Sequence, residues 1–488
     1  MITAVNNFTP EQFISLLSEK ENRISQLEER LSWFEKQFFG RKSEKSGQIN
    51  IEEQSIIAFD HVETAEEIPS EKITVVYQKE KKKKNENHPG RNTIPEHIQR
   101  EIIELHPEGD LSNMECIGKQ VREVLEREPG KFIVKMYIKY IYKNKETNKI
   151  TEGKMPSLPI EKGIPGAGLL AFILVNKFVY HLPLNRQLEI FKNEARMIIK
   201  GSTISGWVGQ CCRLLLLLYD KLLKKVLSQD YLMVDETPIK VLMKLGDKNV
   251  ILGYFWVYYS PKLKMVFFDY RSGRGAENPV RQLKNFKGHI QTDGYIAYKS
   301  IANPDIDFLN CMAHARRKFV EAKDNNARLA NYFLEQVQKL YAVEKMARDG
   351  EYTDEQRYEL RMKESKPVLD ELKIWLDESI GKTTPSLKIG KAIRYTLNHW
   401  QGLIKYLDDG KFEIDNNAVE RSIRPVALGR NNFMFAGSEE GAKNLAIMYS
   451  FYGTCKAQGI EPYEWTKTTL EKMPDHDPKL IEELLPVK

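Results

Sequence analysis

Cysteine is scarce in this sequence: five residues in 488, at positions 116, 211, 212, 311 and 455, with no Cys-x-x-Cys pair. That scarcity argues against a disulfide framework and against a cysteine-based zinc site, and it fits a reducing compartment. Long apolar runs are missing as well. The longest, such as Leu214 to Leu218, fall far short of the ~20 residues that span a bilayer. No basic segment followed by an apolar stretch opens the chain, so the expectation is a cytoplasmic protein without a secretory signal and without a membrane partner. Strong net charge is absent too: 74 Lys and Arg stand against 68 Asp and Glu, a net of +6. With 41% hydrophobic and 29% charged residues, the composition is globular, and the length suits about three folding units.

The balanced total hides a polarised layout. Residues 1–70 carry 7 basic and 13 acidic side chains, which leaves +12 for the remainder. Thr9, Pro10 and Gln12 form a helix start. Phe13, Leu17, Ile24, Leu27, Leu31, Phe34 and Phe38 then recur at spacings of three and four, with Lys20 as the polar break. This spacing predicts a coiled coil and hence a homodimer or higher assembly, the alternative being an amphipathic helix on its own domain. Residues 1–45 form this helix with its basic end, Arg41, Lys42 and Lys45, as candidate DNA contacts. Residues 46–95, acidic and then basic at Lys79–Lys84, read as a charged linker.

Residues 96–160 read as a small β-rich module: Lys131–Tyr142 is β-rich and Asn144–Asn148 supplies a turn. Residues 161–228 turn helical, with one helix over Leu184–Glu194 and another opening at Ser202. Such a pair is either scaffold or a helix-turn-helix that reads DNA, with Arg186 and Ser202 as candidate contacts.

Further on, carboxylates sit where β segments end. Tyr231–Asp235 and His289–Asp293 each read as a strand closed by an aspartate. Between them, Gly253–Tyr259 and Leu263–Tyr270 read as a hairpin turning at Ser260-Pro-Lys262, followed by a helix near 276–286. Ile306–Cys311 is a fifth strand. The order predicts a mixed α/β (α+β) sheet with projecting acids. A helical insertion follows over about 320–410, and Asp415 then reads as the N-cap of a helix bearing Glu420 early. Glu236 neighbours Asp235 but alternates to the opposite strand face, so it stays outside the acidic set. Three carboxylates brought together repel unless a cation joins them, and hard divalent cations prefer oxygen. Two such ions suffice to activate an oxygen nucleophile and stabilise charge around phosphorus.

Several stretches resemble the large transposases of the insertion sequence 66 family: Val234-Asp-Glu-Thr-Pro238, Gln291-Thr-Asp-Gly-Tyr295, Cys311-Met-Ala-His-Ala-Arg-Arg-Lys-Phe319 and Asn416–Pro425. Leu182–Gln187, Phe39–Lys45 and Phe435–Ser438 match as well, in the family's order. The resemblance implies an RNase H-like catalytic domain over 229–435, a C-terminal helical region over 436–488, and Asp235, Asp293 and Glu420 as catalytic metal ligands. It implies two Mg²⁺ ions, with Mn²⁺ as a substitute. The expected reaction is hydrolysis at transposon ends, releasing a 3′-hydroxyl that then attacks target DNA. DNA and small accessory proteins of the same element are the implied partners, at the bacterial nucleoid. Arg316, Arg317, Arg421 and Arg424 are candidate phosphate contacts, and His314, Asn416 and Asn417 candidate supporting groups. The family's small zinc module has cysteine pairs that this chain lacks, so no zinc is expected. Two rivals stay open: an RNase H-like nuclease that never joins strands, and a catalytically silent DNA-binding regulator.

Overall fold

A computed structural model describes residues 94–488 apart from 95, 97, 108, 110–113, 129, 130, 162, 246, 247 and 302. The chain divides into two units, Met1–His88 and Pro89–Lys488, and the described residues belong to the second. The coiled-coil reading, most of the linker reading, and Arg41, Lys42 and Lys45 therefore lie outside the described residues. The described part is a mixed α+β structure with two mixed sheets and many helices. Among the described residues no helix is long and apolar enough to cross a membrane.

The first sheet centres on β3 (Lys131–Asn144), which pairs antiparallel with β2 (Met114–Glu128) and parallel with β1 (Arg100–Leu105). The expected turn after Asn144 holds: the Asn144 side chain accepts the N–H groups of Glu146 and Thr147, and β4 (Ile150–Glu152) returns against β3. This sheet is tied to the helical region by Glu126, which is buried and accepts the Leu169 N–H at the start of α1 (Ala167–Phe178). A carboxylate there satisfies an orphan donor and the positive helix end. Gly166 is needed at this join, because a Cβ would lie 2.1 Å from Glu126 Oε2.

The expected helix pair is α2 (Leu184–Ala195) and α3 (Gly201–Leu214). Arg196 ends α2 in the left-handed conformation at φ 49°. One face of α3 buries Ile204, Trp207, Val208, Cys211 and Cys212. It lies against α13 (Glu439–Gln458), where Arg213 meets Glu440 at 3.0 Å and Cys212 reaches the Asn444 carbonyl. The α3 helix is thus anchored in the core along one face, while Ser202 in its first turn is exposed. A break at Leu215 leads to α4 (Leu216–Leu227).

The second sheet runs β7-β6-β5-β8-β9, with β5 (Tyr231–Leu245), β6 (Lys248–Ser260), β7 (Met265–Arg271), β8 (Gly288–Thr292) and β9 (Ile306–Asn310). The first three are antiparallel to one another, while β8 and β9 continue parallel to β5. A short helix, α5 (Glu277–Leu283), links β7 to β8. The structure extends β5 well beyond Asp235, so this acid is mid-strand rather than at a strand end. Pro238 does not stop the strand, because β8 pairs only with Tyr231–Met233 and Pro238 lies on the unpaired stretch of that edge before Ala436 bridges Val241. Proline is tolerated on such an edge, where no ladder donor is required.

Helices α6 (Met312–Glu321), α7 (Ala327–Asp349), α8 (Asp354–Leu360), α9 (Lys366–Ile380), α10 (Lys388–Asn398) and α11 (Trp400–Ile404) follow β9. A π-helical turn, Arg361–Ser365, joins α8 to α9 and carries Arg361 into a fully buried position. There Arg361 grips Glu344 with two hydrogen bonds of 2.7 and 2.9 Å and donates to the Tyr406, Asp409 and Phe412 carbonyls. Arg357 adds Glu413 and the Gly410 carbonyl. These bonds fix the 406–413 segment that leads into α12 (Asn417–Phe433).

Candidate functional site

Tyr231 to Val234 are all buried, as befits the centre of a sheet covered on both faces. Asp235 is the second residue after Met233, whose pairing with Gln291 is the last between β5 and β8. Its Oδ1 accepts the Glu236 N–H at 2.8 Å. Asp293 directly follows β8, as expected from the sequence, and its Oδ1 accepts the Tyr295 N–H at 2.8 Å. The Tyr395 hydroxyl, reaching over from α10, donates to the Asp293 carbonyl at 2.8 Å. Gly294 turns at φ +86°, and a Cβ there would lie 2.9 Å from His399 Nε2. Both conditions require glycine after the aspartate.

Glu420 enters on the first turn of α12. The expected Asp415 N-cap is not what begins this helix. Asn416 holds the cap position without a side-chain cap bond. Asp415 instead accepts the Asn417 backbone N–H at 3.0 Å and side-chain amide at 2.6 Å, together with the Tyr341 hydroxyl. This closes a local turn one residue earlier. Asn416 is fully buried, and its amide donates to the Val234 carbonyl at 3.2 Å, which staples the start of α12 beside Asp235. Its side chain is therefore occupied as a strand-to-helix tie.

A cleft of about 530 Å³ opens here, lined by Asp235, Glu236, His314, Arg317, Asn417, Glu420, Arg421 and Arg424. Asp293 is not in that lining, yet its charge acts on Asp235, Glu236 and His314. The acids repel. Burial, then the charge of Glu236, pushes the Asp235 carboxyl up to about 8 against the relief of the Glu236 N–H, and Asp293 and Glu420 add to the rise. Burial also raises Glu236, opposed by Arg274 and Tyr298. His314 is lowered, first by burial, with Glu420 and Asp293 opposing. A divalent cation would relieve this repulsion, and the donor set of carboxylate oxygens suits a hard one. One buried oxygen, Glu420 Oε1, has no hydrogen-bond partner among the described residues, which fits a ligand position.

Glu236, left outside the acidic set on strand alternation, also lines the cleft. Its side chain is 2% exposed and is held by Arg274 and by the Tyr298 hydroxyl at 2.8 Å. Both residues stay in register with β6, Asp235 opposite Val257 and Glu236 opposite Trp256, so the strand still alternates there, and yet both line the cleft. Of the cations named from the sequence, Arg317 lies 3.6 Å from Glu420 and, with Arg421 and Arg424, lines the cleft. Arg316 is exposed on α6 outside that lining. Arg186 and Ser202 are exposed at the starts of α2 and α3 and are not brought into the cleft. Sequence reasoning missed Arg274, Tyr298 and Tyr395, and no local signal pointed to them. Arg274 stacks on Tyr295 at 3.8 Å, a contact set by tertiary packing.

Sheet, helices and cleft thus define a mixed α+β protein that gathers acids from separate elements under an arginine rim. Residues 162–444 match the family described as Transposase IS66 family, and residues 450–487 match the IS66 C-terminal element. Residues 26–103 match the family described as Transposase C of IS166 homeodomain, a span that crosses the segment read above as linker. The chain belongs to the IS66 transposase family. Similar curated proteins come from Sinorhizobium fredii. Uncharacterized protein y4qI is 31% identical, over 95% of this chain and 89% of its own length. Uncharacterized protein y4jD is 32% identical over 78% of each. Uncharacterized protein y4hP is 30% identical over 95% of this chain and 88% of its own length. Membership carries with it a DNA-binding protein.

Proposed function

We propose that this chain is a DNA transposase working by divalent-cation-dependent phosphoryl transfer, with Asp235, Asp293 and Glu420 as the cation ligands. The observation that carries the reading is the placement of Asp235 on β5, Asp293 directly after the neighbouring parallel strand β8, and Glu420 on the first turn of α12, whose start Asn416 ties to β5. The strand order β7-β6-β5-β8-β9, antiparallel then parallel, supports an RNase H-like catalytic domain. When bound, Mg²⁺ (or Mn²⁺) supplies activation of the attacking oxygen and neutralises charge on phosphorus and the leaving oxygen. The chain's own residues do the holding. Asp235 and Asp293 come from neighbouring parallel strands, so their backbones are set by the sheet. Asn416 ties Glu420's helix to the same strand. Arg421 and Arg424, one and four positions after Glu420, offer guanidinium forks to the phosphates flanking the scissile bond. The protein would act in the cytoplasm, on DNA.

The test is DNA cleavage at the element's own ends with Mg²⁺, using Asp235→Asn, Asp293→Asn and Glu420→Gln. Each is expected to lose at least about 100-fold in rate, the scale seen when one transition-state stabilising group is removed. A pure single variant that cleaves like the parent would sink the ligand assignment. Products longer than the labelled end, formed on an unlabelled plasmid, separate transposition from hydrolysis alone.

A further inference from the structure

Next to the acids lies a set of donors that hard cations do not seek. Cys311 precedes α6, and His314 follows three residues later, so both side chains face the same way along the helix. Glu420 faces them from α12. One ligand atom from each of Cys311, His314 and Glu420 lies within 4.8 Å of the others. Among the described residues this is the one group of three or more His, Cys, Asp or Glu with that closeness. His314 Nδ1 and Glu420 Oε1 stand 3.8 Å apart, too far for a hydrogen bond, and both atoms are buried with no hydrogen-bond partner among the described residues. Buried orphan donors and acceptors of this kind call for an explanation, and an ion is one.

We propose that Cys311, His314 and Glu420 form a second metal site, one for a borderline-soft divalent cation such as Zn²⁺. Thiolate and imidazole favour zinc over magnesium, and three protein ligands leave a fourth tetrahedral position for water or a DNA phosphate. Binding breaks the Cys311 S–H bond, forms a sulfur–metal bond and releases the proton to solvent. Because Glu420 is shared, a bound zinc ion withdraws it from the carboxylate set, so zinc acts as an inhibitor. That consequence rests on the phosphoryl-transfer reading; the binding itself does not. The site is separate from the small β module, whose lack of cysteine pairs it leaves unchanged.

The experiment uses the full chain carrying Cys116→Ser, which removes the one exposed thiol among the described residues, and Co²⁺ as the probe. One equivalent of Co²⁺ should produce a near-ultraviolet thiolate-to-cobalt absorption band that Zn²⁺ abolishes and excess Mg²⁺ does not. Adding Cys311→Ser should eliminate the band, and His314→Gln should weaken Co²⁺ binding at least about tenfold. Serine can still accept the Asn416 N–H that Cys311 Sγ now accepts at 3.1 Å. If that variant nevertheless fails to fold, the partly exposed His314→Gln carries the same test. Absence of the band in the parent, its persistence in Cys311→Ser, or unchanged affinity in His314→Gln overturns the site. Stoichiometric Zn²⁺ should also block Mg²⁺-dependent cleavage by the parent and spare Cys311→Ser; equal inhibition of both overturns the inhibitory role. A protein that shows the band but never cleaves DNA loses the phosphoryl-transfer reading and keeps this site. One that cleaves but shows no band loses only the site.

Discussion

Glu344 and Asp235 are both withdrawn from water, and their carboxyls are pushed in opposite directions. Burial alone would raise Glu344, but the Arg361 and Arg357 guanidiniums around it hold it below its usual range. Burial raises Asp235 to about 8, and its nearest charged neighbours are more acids. Glu344 sits in a network whose members satisfy one another, with Arg361 at zero exposure on one side and Arg357 bridging to Glu413 on the other. Such a cluster is complete without a ligand. In the cleft the neighbouring acids raise Asp235, and under the proposed function a cation relieves that repulsion. One region uses its charges to hold the chain in place; the other, under the proposed function, holds them for chemistry. The first serves the second, since the network fixes the 406–413 segment just ahead of the Glu420 helix.

The sharpest way to break this contrast is to remove a charge from each side. Arg361→Met should destabilise the folded protein by about 3–5 kcal/mol, the cost of leaving a buried partner uncompensated. Urea or thermal unfolding reads it, and a near-parental midpoint would mean that the network is dispensable.

Asp235→Asn should do the opposite when a chelator is present. A folded pKa near 8 against an ordinary 3.8 means the folded state holds the proton more tightly than the unfolded one. The parent's stability contribution from this group therefore falls as pH climbs from about 4 to about 8, while asparagine has no such dependence. The variant should melt at least about 2 °C above the parent at pH 8, with the gap closing toward pH 5. Saturating Mg²⁺ should raise the parent and leave the variant unmoved. Glu344 has the reverse sign, its stabilisation being lost only as pH falls through its depressed folded value.

Tyr395→Phe removes one hydrogen bond, worth about 0.5–1.5 kcal/mol, from the Asp293 carbonyl. The expected result is weaker Mg²⁺ dependence of cleavage by roughly tenfold or less, with the melting temperature near the parent's. A change in melting temperature without a change in Mg²⁺ dependence would make the contact merely structural. The smallest effect belongs to Arg421→Ala. Loss of one phosphate contact should lower the slope of log affinity against log salt by about 1, measured on element-end DNA. An unchanged slope would remove Arg421 from the interface.

Much of the fold was legible because local chemistry repeats it. The Asn144 turn, the strand closing just ahead of Asp293, and the helix starting close to Glu420 all follow from residue types at short spacing. What failed did so for longer-range reasons. Asp235 was read as a strand end because the apolar run stops there, but pairing with β6 carries β5 on past Pro238 to Leu245. Asp415 was read as a cap because its residue type suits one, but Tyr341, from α7, and Asn417 claim its oxygens. Glu236, set aside by strand alternation, lines the cleft as well, held there by Arg274 and Tyr298 from elsewhere in the fold.

By itself the sequence determined which side chains are present, the local elements that carry them, and the motifs that ally this chain with the IS66 transposases. Those depend on contacts within a few residues, which composition and spacing report directly. Only the tertiary structure decided which acids share a cleft, which carboxylate is neutralised by arginine, and that Cys311 and His314 meet Glu420 across more than a hundred intervening residues. Such meetings are fixed by the packing of α6, α10 and α12 around one sheet, and no local preference along the chain encodes that packing.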